Sequence, residues 1–99
     1  MKTAKCVQRY GTYLRCFDSG GKYADRYTIV PPRFAINYRE ALWGTWYSIA
    51  ASATPFHPQG IGIHVTAQVG PHLGKRVHWD TLPADVQQFA RQSFPEYAP

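Results

Sequence analysis

The residues with the clearest capacity for chemistry are four histidines, His57, His64, His72 and His78, which fall within one stretch of the chain. An imidazole can hold a metal ion or move protons near neutral pH. A metal site needs three or four converging ligands, and Asp80 is the nearest carboxylate along the sequence. We therefore expect surface or hydrogen-bonded histidines, and we predict no metal site, no cofactor and no catalytic residue. Metal binding and a catalytic histidine remain the alternatives.

Other reactive side chains form no recognisable catalytic motif. Gly20-Gly21-Lys22 lacks the spacing of a phosphate-binding loop, and no serine lies in a nucleophile elbow. Cys6 and Cys16 are the two cysteines, and we expect reduced thiols. A disulfide between them is the alternative if residues 5–16 form a hairpin.

Asp25 is the other polar residue that we single out. In the predicted hairpin it can pair with a basic residue across the strands, such as Arg15, which is a structural role. A small hydrolase-like enzyme using His57, His72 or Asp25 in one cleft is a less favoured hypothesis, because such a site needs these groups to share a pocket.

The elements that position these residues are predicted from hydrophobic periodicity and from turn signals. We predict one domain over residues 1–99, of the α+β class. It contains a single antiparallel sheet of four or five strands, with one C-terminal amphipathic helix packed on one face. Residues 1–10 extend the first strand or add an edge strand. The predicted strands cover residues 12–17, 25–30, 42–52, 61–67 and 75–79, and the helix covers residues 83–94.

Successive side chains of a strand point to opposite faces of the sheet, and this alternation assigns the residues of the two longest predicted strands to their faces. Trp43, Thr45, Tyr47, Ile49 and Ala51 share one face of the third strand. In the fourth strand, Ile61, Ile63, Val65 and Ala67 share one face, and Gly62, His64 and Thr66 share the other. Leu82, Val86, Phe89 and Ala90 form the apolar stripe of the helix. If strands 61–67 and 75–79 pair, the loops that carry His57 and His72 lie close together.

The charge of the chain is concentrated near its N-terminus. The net charge is +5, and residues 1–39 contain eight of the eleven Lys and Arg residues but two of the six acidic ones. Such a basic segment favours an anionic partner, nucleic acid or an acidic protein surface. The alternative explanation is that these basic residues serve the solubility of the protein. No apolar run approaches the roughly 18 residues that span a bilayer, and the first residues do not read as a signal peptide. We predict a cytoplasmic protein without a membrane partner.

Five short segments follow one another in a fixed order along the chain: Phe17-Asp18-Ser19-Gly20-Gly21, Asp25-Arg26-Tyr27-Thr28, Pro55-Phe56-His57-Pro58-Gln59-Gly60, His72-Leu73-Gly74-Lys75 and Leu82-Pro83. Together they resemble a family of small uncharacterised proteins of bacteriophages, plasmids and other mobile elements. The resemblance covers about residues 12–92. It implies an accessory protein in the cytoplasm of a bacterial host, and it transfers no functional residues because we associate no activity with that family.

Two functions lead the hypotheses. The first is a non-enzymatic binding protein of mobile-element origin, which blocks a host protein complex such as a CRISPR or other defence system; this target is an analogy with other small phage proteins. Its predicted contact residues are Phe56, His57, Pro58, Gln59, His72 and Lys75.

The second hypothesis is nucleic-acid binding through the basic N-terminal hairpin, where Lys and Arg residues alternate with tyrosines. Its predicted contact residues are Lys5, Arg9, Arg15, Lys22 and Arg26. A monomer and a dimer are both compatible with the sequence.

Overall fold

The computed structural model describes residues 9–32 and 45–99. Lys5, Cys6, Trp43 and most of the predicted N-terminal edge strand lie outside these residues. The last two residues of that predicted strand, Arg9 and Tyr10, are helical rather than extended.

One antiparallel sheet of five strands dominates the described chain. The strands are β1 (Arg15–Asp18), β2 (Tyr27–Val30), β3 (Thr45–Ala51), β4 (Gly62–Gln68) and β5 (Lys75–Arg76). Their order across the sheet is β4-β3-β2-β1-β5, and every neighbouring pair is antiparallel. A C-terminal helix, α1 (Ala84–Ser93), follows. The predicted α+β class is confirmed.

The hairpin of β1 and β2 begins later than predicted. The Thr12 hydroxyl accepts a hydrogen bond from the Leu14 backbone N–H at 3.1 Å, and this local turn competes with strand pairing. At the other end of β1, the Asp18 carboxylate accepts the Gly20 N–H at 2.7 Å. The turn that joins the strands is therefore stabilised by Asp18.

Helix α1 covers one face of the sheet. Its Val86, Phe89 and Ala90 are buried, as predicted from the apolar stripe, and Ile49 and Ala51 of β3 belong to the same core. Ile49 and Ala51, which the alternation places on the same face of β3, thus both point toward the helix. The buried members of this core are Leu14, Cys16, Tyr27, Ile29, Ile49, Ala51, Trp79, Leu82, Val86, Phe89, Ala90 and Phe94.

The opposite face of the sheet has a smaller core, formed by Phe17, Val30 and Leu73, with Val69 packed against it. Residues 69–74 therefore cross this face between the end of β4 and the start of β5. Because β4 and β5 lie at opposite edges of the sheet, residues 61–67 do not pair with residues 75–79, and the condition that would bring the loops of His57 and His72 together is not met.

Strand β5 is shorter than the five residues predicted. The Val77 N–H still donates to the Cys16 carbonyl at 2.9 Å, but the His78 ring then accepts the Asp80 N–H at 3.2 Å. This contact starts a 3₁₀ turn over Trp79–Thr81. The turn directs Trp79, which is 3% exposed, into the main core. Burial of a large aromatic side chain thus ends the strand.

Candidate functional site

The loop between β3 and β4 is closed at its base by one serine. The Ser52 hydroxyl accepts hydrogen bonds from the Thr54 N–H at 3.3 Å and from the Ile61 N–H at 3.0 Å. The Ser52 N–H donates to the Ile61 carbonyl at 2.8 Å. Both ends of the loop are therefore joined across the sheet, and residues 53–60 form a compact projection.

The tip of this loop is held by contacts among its own residues. The His57 N–H donates to the Thr54 carbonyl at 3.1 Å, and the Gly60 N–H donates to the His57 carbonyl at 2.8 Å. The His57 ring accepts the Gln59 N–H at 3.1 Å. A Cβ atom on Gly60 would collide with the Thr54 carbonyl. His57 is thus used to shape the loop, which the spacing of the histidines does not reveal.

Phe56 is the apolar residue that this loop presents. Its side chain is 50% exposed, and its ring lies edge-on to that of Phe89 with the centroids 6.1 Å apart. A large aromatic ring on a loop with fixed backbone loses little conformational entropy on binding. The loop is therefore suited to a protein contact, with the exposed Pro58 and Gln59 beside the ring.

Strand β4 forms the edge of the sheet next to this loop. His64 faces the helix, where its ring stacks on Tyr47 at 5.7 Å and lies 3.2 Å from the Ser93 hydroxyl. Ile63 and Val65 face the other side, and Ile63 is 48% exposed. The predicted alternation of β4 is correct. The alternation alone did not show that this strand is an edge.

His72 and Lys75 do not join the Phe56 loop. His72 lies in the turn before β5 and Lys75 is the first residue of β5, and β1 and β2 lie between β5 and the β3–β4 hairpin. Three strand spacings amount to about 14 Å along the sheet. Leu73 packs on the face opposite the helix, whereas Phe56 contacts the helix. The predicted six-residue contact surface is therefore divided into two separate parts.

A shallow pocket of about 240 Å³ lies where the β1–β2 loop meets the Pro71–Leu73 turn. Two residues of the enzyme hypothesis, Asp25 and His72, line it, but His57 does not. The pocket also contains Ser19, whose buried hydroxyl oxygen has no hydrogen-bond partner among the described residues. The lining residues are Ser19, Tyr23, Asp25, Thr28, His72 and Leu73.

The basic residues predicted to contact nucleic acid have different environments. Arg15 is buried and donates to the Pro31 carbonyl at 2.6 Å, so it is not available to a ligand, and its predicted pairing with Asp25 is not observed. Arg26 is held by Asp18 at 2.7 Å. Lys22 lies over the Tyr23 ring at 5.6 Å.

A second group of cations lies at and beside β5, and of its residues only Arg9 was predicted to contact nucleic acid. The Arg76 guanidinium lies 4.1 Å from the centre of the Tyr10 ring, and that of Arg9 lies 5.3 Å from the same ring. Lys75, which precedes Arg76 in sequence, is exposed. The contact of Arg76 with Tyr10 could not be predicted, because it joins residues far apart in the chain.

Within residues 9–32 and 45–99, no three His, Cys, Asp or Glu residues converge to hold a metal ion. Over the same residues, no helix is long and apolar enough to cross a membrane. No family model, curated protein or solved structure matches the chain.

Proposed function

We propose that this protein is a non-enzymatic binding module that uses Phe56 as an anchor for a partner protein. The observation that carries the proposal is a half-exposed aromatic ring on a loop fixed by its own hydrogen bonds. Interfaces derive most of their binding energy from a few such anchors, with aromatic residues enriched among them. A preformed loop adds affinity because little ordering is needed on association.

The partner that we propose is a protein of a bacterial host, within a complex such as a CRISPR or other defence system. The resemblance of the loop segments to those of small mobile-element proteins supports this choice of host. The partner should offer an apolar pocket for Phe56, surrounded by polar groups that meet Gln59. Removal of the ring should weaken binding by about 2 kcal/mol or more, which is roughly thirtyfold in Kd.

Affinity capture from host lysate at near-physiological salt tests this proposal. Wild type is compared with Phe56→Ser and with Tyr23→Ser, which removes another exposed aromatic ring, 47% exposed, from the β1–β2 loop. We expect one host protein to be retained by wild type and by Tyr23→Ser and to be lost with Phe56→Ser. Equal retention by all three proteins, or no retained protein, would contradict the proposal.

Nucleic-acid binding is the second candidate, supported by the exposed cations beside β5. Arg9 is exposed with its guanidinium over the Tyr10 ring, and Lys75 is exposed in β5 beside Arg76 in sequence. Cations and aromatic rings in one patch can hold a single strand by phosphate contact and stacking.

Fluorescence anisotropy with single-stranded and double-stranded probes tests this candidate. If it is correct, affinity falls steeply between about 50 and 200 mM salt, because phosphate contacts release counterions. The double variant Arg9→Gln/Lys75→Gln should then bind more weakly, while Arg91→Gln, on the helix, should bind like wild type. Absence of binding at low salt would rule the candidate out.

A further inference from the structure

The edge strand β4 has one side of its backbone directed away from the sheet. The Ser52 N–H donates to the Ile61 carbonyl, and the β3–β4 register continues this pair through Ala50↔Ile63 and Ser48↔Val65. In an antiparallel ladder, residue pairs that are joined by backbone hydrogen bonds alternate with pairs that are not. The backbone N–H and C=O groups of Ile63 and Val65 therefore form hydrogen bonds with β3, and those of His64 and Thr66 point away from the sheet. No segment of residues 9–32 or 45–99 pairs with this side.

Within the described part of the chain, this edge lacks the usual protection against strand pairing. Natural edge strands are short, or carry Lys or Pro, or are covered. Strand β4 is seven residues long, and its sequence GIHVTAQ contains neither a Lys, Arg, Asp or Glu residue nor a proline. The other described edge, β5, consists of Lys75 and Arg76. In a chain of net charge +5, β4 is thus the edge at which two copies can meet without like charges opposite each other.

We infer that β4 pairs with β4 of a second copy of this chain, antiparallel and about a two-fold axis at Val65. This axis aligns the two strands over their full length. It places His64 opposite the second copy's Thr66, so that their outward N–H and C=O groups bond to each other. Val65 meets its own counterpart in a closely spaced non-bonded pair, in which side chains approach most closely.

The side chains of β4 are self-complementary in this register. On the face away from the helix, Ile63 meets the second copy's Ala67. The large residue is 48% exposed in the single chain, and the small one is 9% exposed. A large side chain beside a small one fills the space across the axis, and the pairing removes the apolar surface of Ile63 from water. On the helix side, His64 meets the second copy's Thr66 and Gly62 meets its Gln68, so that each pair is small or polar.

The pairing also has a consequence for the loop of Phe56, although it does not depend on the function proposed for that loop. The axis lies at the middle of β4, so the two copies of Gly62 are about 20 Å apart at 3.4 Å per residue. The Phe56 loops then project from opposite ends of the paired strands. A dimer could engage two sites on one host complex, which raises the effective affinity without new contacts.

Sedimentation velocity from low micromolar to about 1 mM protein tests the pairing, since one strand pair is small beside a standard interface and a micromolar Kd is expected. Wild type is compared with two edge variants, Val65→Lys and Thr66→Pro. The first places like charges across the axis, and the second removes an N–H that points away from β3. Gln92→Lys, on the exposed side of the helix, is the charge-matched control.

We expect a reversible dimer for wild type and Gln92→Lys, and a Kd raised at least about tenfold for both edge variants. Hydrogen exchange on wild type gives a second measurement that needs no variant. The amides of His64 and Thr66 should gain protection as concentration rises, whereas those of Ile63 and Val65 should be protected throughout.

A wild-type monomer over the whole range, a dimer that both edge variants retain, or concentration-dependent protection at β5 would overturn the inference. Phe56→Ser should leave dimerisation unchanged, so a failed partner capture and a failed dimer are separate results.

Discussion

Arg26 holds Asp18 with two nitrogens of its guanidinium: Nε donates to Oδ1 at 2.7 Å and Nη2 donates to Oδ2 at 3.0 Å. The two residues lie at opposite ends of the β1–β2 loop, and the same carboxylate accepts the Gly20 N–H. The side-chain hydrogen bonds from Arg26 lower the pKa of Asp18, and the Gly20 N–H acts in the same direction, against a smaller opposing effect of burial. The loop is thus closed by the charged form of one aspartate.

This contact predicts a loss of stability in acid. Because the pKa of Asp18 is lower in the folded protein than in the unfolded chain, its stabilising effect is complete at neutral pH. The effect is lost as the pH falls below about 4, where the carboxylate takes up a proton. Asp18→Asn should therefore unfold at lower urea concentration than wild type at pH 7, and the difference should shrink toward pH 2.

Urea denaturation of both proteins across this pH range is the measurement. Asp25→Asn is the matched control, since Asp25 lies in the same loop and forms no ion pair with any of the described residues. A difference between wild type and Asp18→Asn that stays constant with pH would show that the stabilisation does not depend on the charge of Asp18.

Much of the fold follows from local patterns in the sequence. The spacing of Leu82, Val86 and Phe89 predicts the helix because one face must be apolar at a period of 3.6 residues. The Asp18–Gly21 turn predicts the β1–β2 hairpin. In each case the residues that determine the element are neighbours in the chain.

The arrangement of these elements did not follow from the sequence. Alternation identifies a strand but not its neighbours, so it left open whether β4 and β5 pair, and in the structure they form the two edges. The inward position of Arg15 depends on a carbonyl sixteen residues away. The Phe56 loop could be predicted from its prolines and glycine. The exposed backbone of β4 could not, because being an edge is a property of the whole sheet.

Phe94 should contribute far more to stability than Phe56. Phe94 is fully buried, at the end of the helix, and its replacement by Ala should lower the free energy of unfolding by about 3–5 kcal/mol. Phe56→Ala loses chiefly an edge contact with Phe89, so about 1 kcal/mol is expected. Urea denaturation monitored by circular dichroism measures both. A Phe56→Ala variant as unstable as Phe94→Ala would show that Phe56 is part of the core and would weaken its proposed role in binding.

Cys16 should be unreactive in the folded protein. Its side chain is buried in the main core, and burial raises the pKa of its thiol to about 12 against a smaller opposing effect of Arg76. Since the thiolate is the nucleophile, alkylation at pH 8 should be about a thousandfold slower than in the unfolded chain.

The rate of Cys16 labelling is measured in a Cys6→Ser background, so that one thiol is observed. In native buffer the rate should rise with added urea in parallel with unfolding, and in high urea it should match that of a small thiol. Rapid labelling of the native protein would contradict the buried position of Cys16.

Gly74 should be the glycine least tolerant of substitution at the β1–β5 edge. Its φ is +93°, and a Cβ atom there would collide with the Asp18 carbonyl oxygen and lie 2.6 Å from Ser19 Cα. Gly20 also has a positive φ, +75°, but a Cβ atom there meets nothing within 4 Å. Gly20→Ala should therefore cost only the backbone strain of about 1–2 kcal/mol. Gly74→Ala should cost more, because Lys75 must move away from its pairing with Asp18. Chemical denaturation of the two variants gives the comparison, and equal losses would show that the close approach of Gly74 to β1 is not required.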